Sequence, residues 1–123
     1  MASTVSTVAD PLAARLIKHT ADTTTVTAED NVRGAAPTIY GIQLENLGTT
    51  AAYFKADEST NATASSSTEE LKLYAPAGTT VSYLVGTGHA HATGLSYWIT
   101  TTSVSGSAQT APSDSVTVKI LTS

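Results

Sequence analysis

The chain has 123 residues, no cysteine and a formal net charge of −4, from six Lys plus Arg against ten Asp plus Glu. That length suits one domain with one core, since domains cluster near about 100–150 residues, and the missing thiols exclude disulfides and thiolate metal sites. The basic residues Arg15, Lys18, Arg33, Lys55, Lys72 and Lys119 are scattered, which argues against the clustered cationic surface of a nucleic-acid binder. No apolar run reaches the roughly 20 residues of a membrane helix. The first twenty residues lack a basic start followed by an apolar block, so no secretory signal is expected. Charged residues make up 13% of the chain, about half the usual share. Thr, Ser and Ala take their place, and such a surface opposes association only weakly.

The order of elements begins with a small, polar segment, 1–13, which reads as a flexible arm ahead of a domain spanning 14–123. Asp10-Pro11 before Leu12 and Leu16 could open one or two helical turns, but a strand over 14–19 is preferred. Further strands are expected at 22–27, 38–45, 50–57, 69–74, 79–85, 95–102 and 114–121, because Thr, Val, Ile and Tyr dominate these runs and favour the extended backbone. Tyr40, Ile42 and Leu44 alternate in one run and Ala52, Phe54 and Ala56 in the next, with Tyr53 and Lys55 on the opposite side. Asn46-Leu47-Gly48-Thr49 between them reads as a hairpin loop. Pro76-Ala77-Gly78 reads as a turn, Pro presetting φ and Gly relieving it. The stretches 58–68 and 103–113 are small and polar and read as exposed loops, the first of them mobile.

Short strands at regular spacing with turn residues between them predict an all-β fold. The expectation is a single antiparallel β-sandwich of about eight strands, jelly-roll-like or a related Greek key. Alternation places Ile42, Leu44, Phe54, Leu73, Val81, Tyr83, Ile99, Val118 and Ile120 in the core. If Tyr97 and Ile99 face inward, Trp98 faces outward, where it could anchor an interface or stack on a sugar; the opposite register makes it a core residue.

Chemistry is sparse. His89 and His91, two apart, could share one side of a strand and ligate a metal, or ring a symmetry axis in a trimer. The Gly-rich surroundings favour a polar loop, and a zinc site needs a third or fourth ligand that is not visible beside them. The adjacent pairs Glu29-Asp30, Asp57-Glu58 and Glu69-Glu70 point to opposite faces if extended and make no ready acid/base pair. Gly86-x-Gly88 lacks the helix and third glycine of a dinucleotide site, and there is no Gly-x-Ser-x-Gly elbow. Asn61-Ala62-Thr63 fits a glycosylation acceptor but reads as loop sequence. The expectation is no catalytic residue, no cofactor and no bound metal.

The order of several blocks carries a resemblance. Ile42-Gln43-Leu44-Glu45-Asn46 is followed by Ala51-Ala52-Tyr53-Phe54-Lys55-Ala56, then by Leu71-x-Leu73, Pro76-Ala77-Gly78 and Val81/Tyr83. A Gly-rich loop then leads into Thr93-Gly94-Leu95-Ser96-Tyr97-Trp98-Ile99-Thr100-Thr101, and Thr110-Ala111-Pro112 precedes Val116-Thr117-Val118. This succession, over about 38–120, resembles small β-sandwich virion structural proteins of tailed bacteriophages. The chain departs from that pattern where 57–68 lacks a proline-containing loop and where His89 and His91 replace a more apolar segment. The resemblance implies a non-enzymatic capsid cement or decoration protein on the outer surface of the head. Its implied partners are the major capsid protein or other virion proteins and further copies of itself, a trimer favoured, with no nucleic acid and no membrane. A neck or tail fibre or adaptor protein is the alternative within that class. A carbohydrate-binding sandwich using Trp98, Tyr53 and Tyr83 is the alternative outside it.

Overall fold

The computed structural model describes residues 15–21, 26, 28–30, 36–64, 66–104, 109–112 and 116–123. The arm expected at 1–13 and most of the strand expected at 22–27 lie outside the described residues. Among those described there is no helix, hence none long and apolar enough to cross a membrane. Among the described residues there are seven strands: β1 Arg15–Thr20, β2 Thr38–Asn46, β3 Ala52–Asp57, β4 Leu71–Ala75, β5 Thr79–Ala90, β6 Ser96–Thr100 and β7 Val116–Thr122.

They form two antiparallel sheets, one in the order β1-β7-β2-β5 and the other β4-β3-β6. The fold is an all-β sandwich, as the alternation implied. In the larger sheet Ile17, Ile120, Ile42 and Tyr83 lie side by side, and His19, Val118, Leu44 and Val81 form the next row. In the smaller sheet Leu73, Phe54 and Ile99 form one row and Leu71, Ala56 and Tyr97 another. These inward rows meet in one core, within which Phe54 and Tyr97 stack with ring centroids 5.4 Å apart. Ile42, Leu44, Phe54, Ile99, Val118 and Ile120 are buried, while Leu73, Val81 and Tyr83 sit at its margin and are partly covered. Tyr83 has a second task there. Its hydroxyl donates to the Tyr74 carbonyl at 2.5 Å and so ties the β5 edge to the β4 edge of the other sheet. Glu29 and Tyr97 exchange backbone hydrogen bonds of 2.8 and 3.1 Å, which adds the segment around Glu29 to the free edge of β6.

The sequence suggested that β2 and β3 pair as a hairpin, and the structure corrects this. β2 pairs with β5 and β7, and β3 with β4 and β6, so the chain changes sheets at Asn46–Thr50. Asn46 makes that corner. Its buried amide donates to the carbonyls of Thr50 at 2.9 Å, Ala75 at 3.1 Å and Pro76 at 3.2 Å, and its oxygen accepts from the Gly48 N–H at 3.1 Å. Pro76-Ala77-Gly78 is a turn, with Gly78 at φ 68°, but it too passes from one sheet to the other.

The outer face of the smaller sheet is covered around Trp98, contrary to expectation. Trp98 does point away from Tyr97 and Ile99, yet it is 1% exposed. The 58–68 connection, expected to be an exposed loop, lays Ala62 and Ala64 over the indole, and Val26 and Ala28 pack beside them. The Trp98 N–H donates to Gln109 Oε1 at 3.0 Å, and Lys55 Nζ donates to the same oxygen at 2.7 Å and to the Val104 carbonyl. Lys55 is thus covered by a layer one chain thick. Burial pushes its ammonium below the ordinary lysine value, nearby Glu69 pulls it back up, and Lys72 adds to the lowering.

Candidate functional site

Two places on the sandwich carry side chains that the core does not account for. The first is the outer face of the larger sheet. Strand register sets Leu16, Leu121, Gly41 and Leu84 side by side across all four strands. Leu16 is 59% and Leu84 76% exposed. The missing side chain of Gly41 leaves a shallow hollow between its neighbours. A Cβ there would stand 3.2 Å from Leu84 Cδ2 and 3.5 Å from Leu121 Cδ1. The next row on the same face is Lys18, Lys119, Gln43 and Ser82. Lys18 and Lys119 are directly opposite each other, and neither makes an ion pair among the described residues. An apolar row flanked by cations can bury hydrocarbon and attract carboxylates.

The second place is the end of the sandwich opposite Asn46. Glycines 86 and 88, expected in a loop, belong to β5 instead. Leu84 pairs with Gly41 and His89 with Ile39, so Val85 to Gly88 face the single residue Tyr40. This wide bulge re-aims the end of the strand, as bulges do. Gly88 adopts φ 83°, and a Cβ there would sit 2.3 Å from Thr38 Cγ2. Beyond the bulge, His89 and His91 rings lie edge to face at 5.0 Å. The His91 backbone N–H is held by the Pro37 carbonyl at 2.8 Å.

Two carboxylates come close to one of these histidines, His91. Glu58 follows β3 and Glu70 precedes β4, at the two stems of one connection, and the Glu70 N–H bonds the Ala56 carbonyl at 2.8 Å. One ligand atom from each of Glu58, Glu70 and His91 lies within 4.8 Å of the other two. The adjacent-pair spacing of the acidic residues does not reveal this grouping. The legible signal was their placement on either side of a loop flanked by pairing strands.

The remaining candidates stay apart. Tyr53 and Tyr74 pack at 5.2 Å on the outer face of the smaller sheet, while Trp98 is covered and Tyr83 faces the core margin, so the three proposed sugar-stacking rings form no common platform. His19 sits 3.4 Å from Glu29 and edge-on to Tyr97, away from His89 and His91. No family model, curated protein or solved structure matches the chain.

Proposed function

We propose that this chain is a structural protein of a tailed-phage virion, a capsid cement that works by contact on the outside of the head and catalyses nothing. The observation that carries the contact role is the exposed leucine row on the outer face of the larger sheet, flanked by Lys18 and Lys119; the virion setting rests on the resemblance of the blocks over 38–120. A flat β face of this kind is a platform for another protein surface, since burying its apolar atoms yields about 25 cal/mol per Å². The occupant that fits is a second copy in a closed heterologous ring, a trimer. Such a ring sets one face of each copy against a different face of its neighbour. The net charge of −4 leaves acidic surface elsewhere on the chain to meet the two lysines. The strand order also fits a jelly roll in which the segment around Glu29 stands in for the second strand. Binding to the mature lattice and not to its dissociated form would stabilise the head by linkage, about 2.7 kcal/mol per site at 100 times the dissociation constant.

The test is sedimentation of the purified chain, together with binding to decoration-free capsids, for the wild type and for Leu84→Asp and Lys119→Glu. Both positions are on the outer face, so stability should change by no more than about 0.5 kcal/mol. Association should weaken by more than about 1 kcal/mol. Wild-type assembly in both variants would remove the leucine face from the proposal. A wild-type chain that is monomeric and ignores capsids would remove the cement reading, and binding confined to portal or tail would move it to the neck.

A further inference from the structure

The histidine end of the sandwich carries more than a passive fold requires. His91 is 1% exposed, and neither of its ring nitrogens has a hydrogen-bond partner. The Gly94 backbone lies near the ring. A buried imidazole without partners is costly, because each unsatisfied polar group keeps its desolvation penalty. Sandwich proteins normally fill such a position with a hydrocarbon or give it a carbonyl. Here the imidazole faces two carboxylates, Glu58 and Glu70, neither of which makes an ion pair among the described residues. His89 Nε2, next to it, is likewise buried and unpartnered.

We propose that His91, Glu58 and Glu70 form a binding site for one divalent transition-metal ion of the zinc class, with the His89 imidazole beside it. One imidazole nitrogen with two carboxylate oxygens is a donor set for Zn²⁺ or Mn²⁺, and the imidazole disfavours Mg²⁺ and Ca²⁺. Three protein ligands leave at least one position for water. The placement gives the ion a mechanical role. Glu58 and Glu70 belong to the ends of β3 and β4 in the smaller sheet, and His91 to the end of β5 in the larger. An ion held by all three would clip the two sheets together at the end that Asn46 does not reach. In a chain with no cysteine it would do the work of a disulfide.

The experiment is calorimetric titration of chelator-treated full chain with ZnCl₂, MnCl₂ and CaCl₂, with thermal unfolding in parallel. The expected result is one Zn²⁺ per chain, a higher unfolding temperature on binding, and Ca²⁺ at least about tenfold weaker. Glu58→Gln and Glu70→Gln, at the outer side of the site, should each weaken Zn²⁺ by more than about tenfold. His91→Gln should abolish stoichiometric binding, and His19→Gln should leave it unchanged. Should His91→Gln fail to fold, the two glutamate variants decide the matter. No heat and no thermal shift at about 1 mM Zn²⁺ would overturn the proposal. So would binding that survives Glu58→Gln with Glu70→Gln combined, or equal affinity for Ca²⁺.

Discussion

Replacing Asn46 by Asp tests the argument that one amide holds the corner between the sheets. The substitution keeps the shape and keeps an oxygen for the Gly48 N–H. It replaces the amide nitrogen, which donates to the carbonyls of Thr50, Ala75 and Pro76 at 2.9, 3.1 and 3.2 Å, with a second oxygen. An acceptor then faces three acceptors. The Asn46→Ala variant sets the scale. It strands the buried Ala75 carbonyl and Gly48 N–H, at about 1–3 kcal/mol each, hence about 2–6 kcal/mol in total. Asn46→Asp should cost at least as much near neutral pH, because a carboxylate is repelled by the same carbonyls. Its protonated form can donate, so the folded state holds the proton more tightly than the unfolded chain, whose Asp titrates near about 3.9. Between those two pKa values the folded state binds more protons, and stability falls as pH rises through the window. The deficit relative to wild type should therefore narrow toward about pH 4. Urea unfolding followed by the fluorescence of buried Trp98 measures this directly. An Asp variant within about 0.5 kcal/mol of wild type near neutral pH, or a deficit that does not narrow in acid, would refute the assignment of the corner to Asn46.

Two further outcomes are expected. Gly78 and Gly88 both adopt positive φ, but a Cβ meets nothing within 4 Å at Gly78 and stands 2.3 Å from Thr38 Cγ2 at Gly88. Gly78→Ala should cost about 1–2 kcal/mol for the left-handed backbone alone, and Gly88→Ala distinctly more; equal denaturant midpoints for the two would show that the bulge yields freely. Lys55, whose ammonium burial holds below the ordinary 10.5, gives up its proton in the folded state before the unfolded chain does. Stability contributed by this group therefore rises with pH between the folded value and 10.5. Wild type should gain on Lys55→Met between neutral pH and about pH 10, and a gap that is constant or moves the other way would contradict the burial argument.

Both the apolar sheet face and the histidine end depend on neighbours in space that are far apart in sequence. Leu16, Leu121, Gly41 and Leu84 come from four strands, and no local spacing connects them. Only the register lines them up, and only the glycine among them leaves the hollow. In the same way Glu58 and Glu70 are brought together by the β3–β4 pairing, and His91 reaches them because the β5 bulge turns the chain past Thr38 and Tyr40.

The alternation of Ile42 with Leu44, of Phe54 with Ala56 and of Val118 with Ile120 was enough by itself to determine strands, an inward face for each and an all-β sandwich. Side chains in an extended backbone repeat every two residues, so the pattern states which side of a strand is apolar. It does not state which strand lies alongside. The pairing of β2 with β5 and β7 rather than β3 was therefore decided by the tertiary structure, through an asparagine whose partners at Ala75 and Pro76 lie in a distant segment. The fate of the outward faces was decided there too. Trp98 and Leu84 both point away from the core, yet the indole is buried and the leucine exposed. A loop folds back over one sheet and, among the described residues, nothing covers the other. Whether an outward residue is core, interface or ligand depends on long-range packing, which a local period of two cannot encode.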